Sequence, residues 1–225
     1  MKKLANLLAM VVCVLTLAGC GGNSSAAKVE PPAVPKSSAQ GNKKILIAYF
    51  SLPESTDVKS MSNEGKNSAV VINDKVVGNT EYIAQLIRSK VGGDLFKIEP
   101  QNPYDISDHG ALTSLARNEK NTHARPAIAK TIANMENYDV VFLGYPNWWG
   151  DMPMIMYSFL EQYDLTGKKI IPFNTHGGSG LSDTVATIAG LQPKATVEKN
   201  AFTIYRREMS KAANEVNAWL GKLGY

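Results

Sequence analysis

The feature that most constrains this chain is the stretch from Lys44 to Thr80. It opens with KILIAYFS (Lys44–Ser51), an uninterrupted apolar and β-branched run that predicts a strand buried on both faces of a sheet. It closes with Gly78-Asn79-Thr80, which lead directly into a helical pattern. A buried strand, small polar residues and a helix N-terminus are typical of a phosphate site, because first-turn amides lack an internal partner and the helix dipole favours an anion.

The remainder of the chain alternates strand-like and helix-like segments. Further strands are predicted at Asp94–Glu99, Asp139–Tyr145, Lys169–Asn174 and Thr196–Ile204, and helices at Thr80–Val91, Arg125–Met135, Pro153–Gln162, Gly180–Gly190 and Glu208–Leu223, with a short helix within Gln101–Asn121. This alternation predicts a parallel sheet with helices on both faces. Five strands fit a three-layer α/β sandwich of strand order 2-1-3-4-5, the flavodoxin-like arrangement, whose ligand site lies at the carboxyl ends of strands one, three and four.

The first loop at that edge combines Ser51 with Gly78, Asn79 and Thr80. Hydroxyl and amide side chains can hydrogen-bond a phosphate that the helix amides already attract. The alternative is that Asn79 or Thr80 only caps the helix, which is a common role for these residue types. Residue type alone leaves both interpretations open.

The second loop, Pro146-Asn147-Trp148-Trp149-Gly150, follows the strand predicted at Asp139–Tyr145. Two adjacent tryptophans in a loop are hard to bury together. We therefore expect one to pack on the core and the other to offer a flat face to a planar ligand, where stacking contributes about 0.5–1.5 kcal/mol. The alternative is that both tryptophans only cover the end of the sheet.

The third loop, Thr175-His176-Gly177-Gly178-Ser179, follows the strand predicted at Lys169–Asn174. Its glycines let the backbone approach a ligand closely, so that consecutive amides can meet the polar edge of a ring. His176 either contacts a ligand, as a hydrogen-bonding group or an acid, or has a structural role. The glycine spacing is not that of a dinucleotide fingerprint. Together the three loops predict a site for a mononucleotide with a flat heterocycle.

At these residues the chain resembles the flavodoxin superfamily, and specifically a bacterial flavodoxin branch with the motifs YFS…GNT, GYPxWWGDMP and PFxTHGGSG. They stand here at Tyr49–Ser51 and Gly78–Thr80, at Gly144–Pro153, and at Pro172–Gly180. The resemblance covers the chain from about Lys43 to the C-terminus. It implies a flavodoxin-like domain over residues 44–225 that binds FMN.

The resemblance also implies a role for each loop. The phosphate is held by Ser51, Asn79 and Thr80 beside Gly78. The isoalloxazine is bordered by Pro146, Asn147, Trp148 and Trp149, with Gly150 next to them. The other edge of the ring is contacted by Thr175, His176, Gly177, Gly178 and Ser179.

One departure from the family pattern concerns the first loop. In the simplest pattern the serine and GNT are nearly adjacent, whereas here Leu52–Val77 separate them. Within this insert, Ala69–Ile72 and Lys75–Val77 flank Asn73-Asp74, which predicts a hairpin around a two-residue turn. We expect Ser51 and Gly78 to meet in space and the insert to loop out over the site. It either covers the phosphate, gates a partner or is a passive excursion, since long surface insertions cost little.

The N-terminus predicts export and lipid attachment. Residues 1–19 have a basic start at Lys2 and Lys3, a short apolar core and an ending, Leu17-Ala18-Gly19-Cys20, that resembles a bacterial lipobox. Cleavage would leave Cys20 as the lipidated N-terminus of a flexible tether over residues 20–43, on the extracytoplasmic side of a membrane. The alternative is an ordinary secretory signal. The only other cysteine, Cys13, lies in the removed segment, which excludes a disulfide, a thiolate nucleophile and a sulfur metal site.

The leading functional hypothesis is a membrane-tethered carrier in which FMN exchanges electrons with redox partner proteins. The alternative is an FMN-dependent NAD(P)H:quinone-type oxidoreductase that reduces a small-molecule acceptor, and a third is a binding module that has lost flavin. We predict no protein catalytic residue and no metal ligand. The net charge of +4, about +2 without Lys2 and Lys3, is too small to predict a nucleic-acid partner.

Overall fold

The computed structural model describes residues 43–225. The predicted leader, Cys20 and nearly all of the predicted tether lie outside the described residues. The strands are β1 (Ile45–Tyr49), β2 (Ala69–Ile72), β3 (Lys75–Gly78), β4 (Asp94–Lys97), β5 (Val140–Pro146), β6 (Lys169–His176), β7 (Thr196–Val197) and β8 (Phe202–Tyr205). The α-helices are α1 (Asn63–Ser68), α2 (Asn79–Val91), α3 (His109–Asn121), α4 (Met154–Gln162), α5 (Thr184–Leu191) and α6 (Ala212–Lys222), and 3-10 turns lie at Met135–Asn137 and Met209–Lys211.

The main sheet is parallel and has the order β4-β1-β5-β6-β7, with β8 also paired to β6. This confirms the predicted α/β sandwich of order 2-1-3-4-5. The predicted fifth strand, however, is two strands: β7 pairs with the start of β6, and β8 pairs with its end. Between them the carbonyl of Asn200 accepts a 2.7 Å hydrogen bond from the Trp219 indole.

The division of the predicted fifth strand into β7 and β8 also explains how Pro172 fits inside the central strand β6. The carbonyls of Lys168, Ile170 and His176 accept hydrogen bonds from the β7–β8 edge, so the even-numbered residues of β6 point their main-chain groups that way. Pro172 continues this series and falls between β7 and β8. Because no strand pairs there, its missing N–H removes no ladder hydrogen bond.

Both faces of the sheet are buried. Ile47 and Phe142 pack with Ile83 of α2 and Trp219 of α6 on one face. Leu46 and Leu143 pack with residues of α4 such as Phe159 on the other. Neighbouring strand residues point to opposite faces, so a strand covered on both sides requires the continuous apolar run seen in the sequence.

The predicted helix at Arg125–Met135 is wrong. The first half of that segment lies against the residues after β4, where Pro100 and Ile128 form an isolated bridge and Ala129 donates to Glu99. These main-chain contacts with the residues after β4 take the place of helical hydrogen bonds, and the helical spacing of the apolar residues does not outweigh them. The helix of this region is α3, which is longer than predicted and is capped by Asp108, whose carboxylate accepts from the amide of Ala111. The helix predicted at Gly180 begins at Thr184 instead.

The insert forms α1 and the antiparallel hairpin β2–β3. Asn73 and Asp74 both have positive φ, 49° and 58°, as a two-residue type I′ turn requires. The hairpin packs Val70 and Ile72 into the same core cluster as α2. The insert therefore has its own apolar anchor and returns the chain to the start of α2.

Two kinds of feature are absent from residues 43–225. In this range no helix has the length and apolar character needed to cross a bilayer. No group of three or more His, Cys, Asp or Glu side chains in the same range is arranged to hold a metal ion.

Candidate functional site

A cleft of about 310 Å³ lies at the carboxyl edge of β1, β5 and β6, within the range of about 300–1,000 Å³ typical of small-ligand pockets. Its walls come from all three predicted loops and from the insert. The lining residues are Ser51, Leu52, Glu54, Glu64, Asn67, Ser68, Asn79, Thr80, His109, Pro146, Asn147, Trp148, Thr175, His176, Gly177 and Arg206. Five other predicted site residues do not line the cleft: Gly78, Trp149, Gly150, Gly178 and Ser179.

The first loop places small polar groups at the start of α2. The amide of Glu81 donates a 3.2 Å hydrogen bond to Ser51 Oγ, and Thr80 Oγ1 lies 2.9 Å from Thr175 Oγ1. Gly78 approaches Ser51 so closely that a Cβ there would collide with the serine hydroxyl. The expected meeting of Ser51 and Gly78 is therefore confirmed. Gly78 at the N-cap of α2 has no side chain to accept from the first-turn amides, and Asn79 and Thr80 of that turn line the cleft.

Asn79 joins this loop to the insert. Its side-chain nitrogen donates a 2.9 Å hydrogen bond to the carbonyl of Asn67 in α1. Its side-chain oxygen is buried and has no partner among the described residues. Asn79 therefore ties down the insert, and its remaining polar atom lies in the wall of the cleft.

The second loop separates the two tryptophans. Trp148 lines the cleft and packs edge-on against Phe50 and Tyr104, with ring centroids 5.4 Å and 5.7 Å away. Trp149 is 45% exposed and lies on α3, where its indole N–H donates to the carbonyl of Thr113 and the Arg117 guanidinium sits 4.1 Å above its ring. Trp148 is therefore the aromatic wall of the cleft, and Trp149 anchors the loop to α3.

A tight turn produces this divergence. Trp148 and Asp151 exchange main-chain hydrogen bonds, and Trp149 and Gly150 between them have φ values of 57° and 75°. Asn147 supports the turn, because its side-chain oxygen accepts from the amide of Gly150. Its side-chain nitrogen donates to the carbonyl of Gly180, so Asn147 also couples the second loop to the third.

The third loop is shaped by His176. Its Nδ1 accepts a 3.0 Å hydrogen bond from the amide of Gly178, which requires an unprotonated Nδ1. Burial lowers the pKa of His176, and the nearby carboxylate of Glu208 opposes that shift. His176 is thus held neutral at pH 7, with Thr175 and Gly177 beside it in the cleft wall.

Sequence reasoning missed the charged residues of the cleft. The insert contributes Glu54 and Glu64, and Glu54 is hydrogen-bonded to His109 at the start of α3. A hydrogen bond to its own backbone lowers the pKa of Glu64, so this wall is acidic. Arg206 also lines the cleft. Arg206 could have been predicted to lie near the cleft, because it directly follows the last strand. The contact between Glu54 and His109 could not, because 55 positions separate the two residues.

These residues fit FMN. The amides of α2, the hydroxyls of Ser51 and Thr80 and the cation of Arg206 suit an anionic phosphate or the polar edge of a ring. Trp148 supplies a flat apolar wall for the ring itself. Buried polar atoms without partners, at Asn79 and Arg206, lie in residues that line the same cleft.

Comparison with known proteins places the chain in a family. The family model for flavodoxin matches residues 68–223. The crystal structure of a candidate flavoprotein from Bacteroides eggerthii is 31% identical, covering 82% of this chain and 99% of its own, with a TM-score of 0.59. A second such structure, from Bacteroides uniformis, is 24% identical over 76% of this chain and 97% of its own, with a TM-score of 0.53.

A flavoprotein from Lactobacillus acidophilus, solved in complex with FMN, shares the fold at 19% identity. It covers 79% of this chain and 99% of its own, with a TM-score of 0.53. The search of curated proteins gave no significant match. The family match spans more than half of the chain and agrees with the sheet order and the position of the cleft. This chain belongs to the flavodoxin family.

Proposed function

We propose that this chain is an FMN-binding electron-transfer protein tethered to a membrane outside the cytoplasm. FMN is the cofactor that family membership supports. The observation that carries the proposal is the meeting of all three loops in one cleft, where a helix N-terminus, buried hydroxyls and an indole ring face the same space.

Within the cleft the chain's own residues bind, orient and shield. The amides of α2 with Ser51 and Thr80 would hold the phosphate. Trp148 would exclude water from one side of the ring, and the main chain of Thr175–Gly177 would meet its polar edge. Neutral His176 keeps the loop folded through the Gly178 amide. FMN supplies the ability to accept and release electrons.

The visible absorption spectrum of the full chain tests this proposal. FMN is added to the purified protein, and the excess is removed by gel filtration. We expect flavin bands to remain with a perturbed shape and flavin fluorescence to be quenched by Trp148. A chain that retains no flavin contradicts the proposal and leaves the binding-module hypothesis.

Attachment to the membrane rests on residues 1–43 and is tested separately. The proposal is that Cys20 carries lipid and that the segment up to residue 43 tethers the domain. In a bacterial host, labelling with a fatty-acid analogue should mark the wild-type chain and not Cys20→Ser. Equal labelling of both chains, or of neither, contradicts lipid attachment at Cys20.

A second candidate, an FMN-dependent NAD(P)H:quinone-type oxidoreductase, is favoured by the cation of Arg206 in the cleft wall. A cation near the flavin ring favours the two-electron reduced cofactor. Steady-state oxidation of NADH or NADPH with a quinone separates the two candidates. Turnover supports the oxidoreductase, and its absence together with rapid exchange with a one-electron protein partner supports the carrier.

A further inference from the structure

Arg206 occupies a defined place beside the third loop. It follows β8, and its amide donates a 2.8 Å hydrogen bond to the carbonyl of His176. Its guanidinium lies against Gly177, where an added Cβ would stand 3.2 Å from Nη1 and 3.5 Å from Nε. The arginine thus lies directly beside the main chain of the loop that faces the cleft.

The charge of Arg206 is not neutralised by a neighbouring side chain. Among residues 43–225, none of the ion pairs within 4.0 Å includes it, and its Nε is buried without a hydrogen-bond partner. Glu208, two residues away, is paired with Lys211 at 2.7 Å. The carboxylates in the cleft, Glu54 and Glu64, belong to the insert.

An unpaired cation in a partly buried wall implies an anionic or strongly accepting ligand group, because desolvation without compensation is costly. Two groups of FMN have this chemistry: the phosphate and the pyrimidine edge of the ring, N1–C2=O2. The phosphate already has the α2 amides, Ser51 and Thr80. Arg206 contacts Gly177 instead, in the loop whose amides lie nearest the polar edge of the ring in the proposed binding mode.

We propose that Arg206 binds the N1–C2=O2 edge of FMN and stabilises the negative charge that reduction places there. The proposal rests on the FMN binding that both candidates of the proposed function share. A hydride donor such as a nicotinamide would give bound FMN two electrons and one proton, and the single negative charge that results would lie over this edge. A guanidinium in contact with the edge favours that anion over the neutral oxidised ring.

This role opposes the effect of Trp148. An apolar wall alone disfavours the reduced anion and lowers its potential, as suits a low-potential carrier. The arginine raises the two-electron potential and makes the cofactor a better hydride acceptor. Arg206 therefore favours two-electron exchange with a small-molecule donor or acceptor, such as a nicotinamide or a quinone.

The test measures the two-electron midpoint potential of FMN bound to the full chain, by dye-coupled titration, in the wild type and three variants. Arg206→Gln removes the charge, Arg206→Lys retains it, and Arg207→Gln is the matched control at the exposed neighbouring arginine. We expect Arg206→Gln to reduce the preference for reduced over oxidised FMN at least tenfold, a potential lower by about 30 mV for a two-electron couple. Arg206→Lys should recover most of the shift, and Arg207→Gln should match the wild type.

Affinity for riboflavin, which lacks the phosphate, distinguishes the two possible contacts. If Arg206 binds the ring edge, Arg206→Gln shifts the potentials of bound riboflavin and FMN alike. If the variant weakens FMN binding, leaves riboflavin binding intact and keeps the wild-type potential, the arginine binds the phosphate and the proposal is overturned. An unchanged potential with unchanged affinity overturns it as well. A wild-type chain that binds no flavin overturns the proposed function together with this inference.

Discussion

The hydroxyl oxygens of Thr80 and Thr175 lie 2.9 Å apart, although 95 positions separate the two residues in the sequence. Thr80 belongs to the first turn of α2 and Thr175 to the end of β6. Both are almost fully buried. The contact joins the start of α2 to the end of β6, so one buried hydrogen bond links two of the loops that line the cleft.

Replacing one of these threonines by valine should lower the free energy of unfolding by more than half of the loss caused by replacing both. Thr80→Val leaves the Thr175 hydroxyl buried without its partner, at a cost of about 1–3 kcal/mol. Thr80→Val/Thr175→Val removes both polar atoms, so its cost should fall well below the sum of the single costs. Urea unfolding of the flavin-free chain measures all three variants, and strict additivity would show that the bond is unimportant.

Gly78→Ala should disrupt the phosphate loop. Alanine accepts the Gly78 backbone, with φ −60° and ψ 145°, so any effect comes from the Cβ that collides with Ser51 Oγ. The serine must leave the α2 amide, and we expect FMN to bind at least about tenfold more weakly, the loss of one charge-assisted hydrogen bond. Gly190→Ala in α5 is the control, because its Cβ meets open space and alanine favours a helix. Fluorescence titration with FMN measures both, and equal affinities contradict the assignment of this loop.

The two tryptophans should give opposite results. Trp148→Ala removes the aromatic wall of the cleft and should weaken FMN binding by about threefold to tenfold. Trp149→Ala breaks the contacts with Thr113 and Arg117 on α3, so it should lower the free energy of unfolding while changing FMN affinity by less than about twofold. Flavin titration and urea unfolding are run on both variants. A larger binding loss for Trp149→Ala would assign the ring contact to that residue instead.

Stability should fall in acid through His176. Burial lowers its pKa below the usual value near 6.5, so between the two pKa values the unfolded chain binds more protons than the folded one. The stability that neutral His176 provides is therefore present above about pH 6.5 and is lost as the pH falls through the lowered pKa. Thermal unfolding from pH 8 to pH 5 should show this loss in the wild type and in His123→Asn, an exposed control, and less of it in His176→Gln. Parallel curves for all three chains would exclude His176 as the titrating group.

Much of the fold followed from local patterns. Buried parallel strands need continuous apolar runs, and β1, β5 and β6 all have them, so a parallel sheet could be predicted. Its order and ligand edge followed from the fit to the flavodoxin-like arrangement. The hairpin of the insert was predictable too, because Asn73-Asp74 suits two consecutive positive φ values. The wrong helix at Arg125–Met135 shows the limit: its apolar spacing is helical, but main-chain hydrogen bonds to the residues after β4 decide its conformation.

The sequence by itself determined the family, the three loops and the type of ligand, because each is marked by short motifs that can be recognised in the sequence. Tertiary structure alone decided which members of those loops share a wall. It turned Trp148 towards the cleft and Trp149 towards α3, through a turn with two positive φ values. It also brought Arg206 to Gly177 and Glu54 to His109. Contacts between distant segments depend on strand register and on the path of the insert. The spacing of neighbouring residues predicts neither.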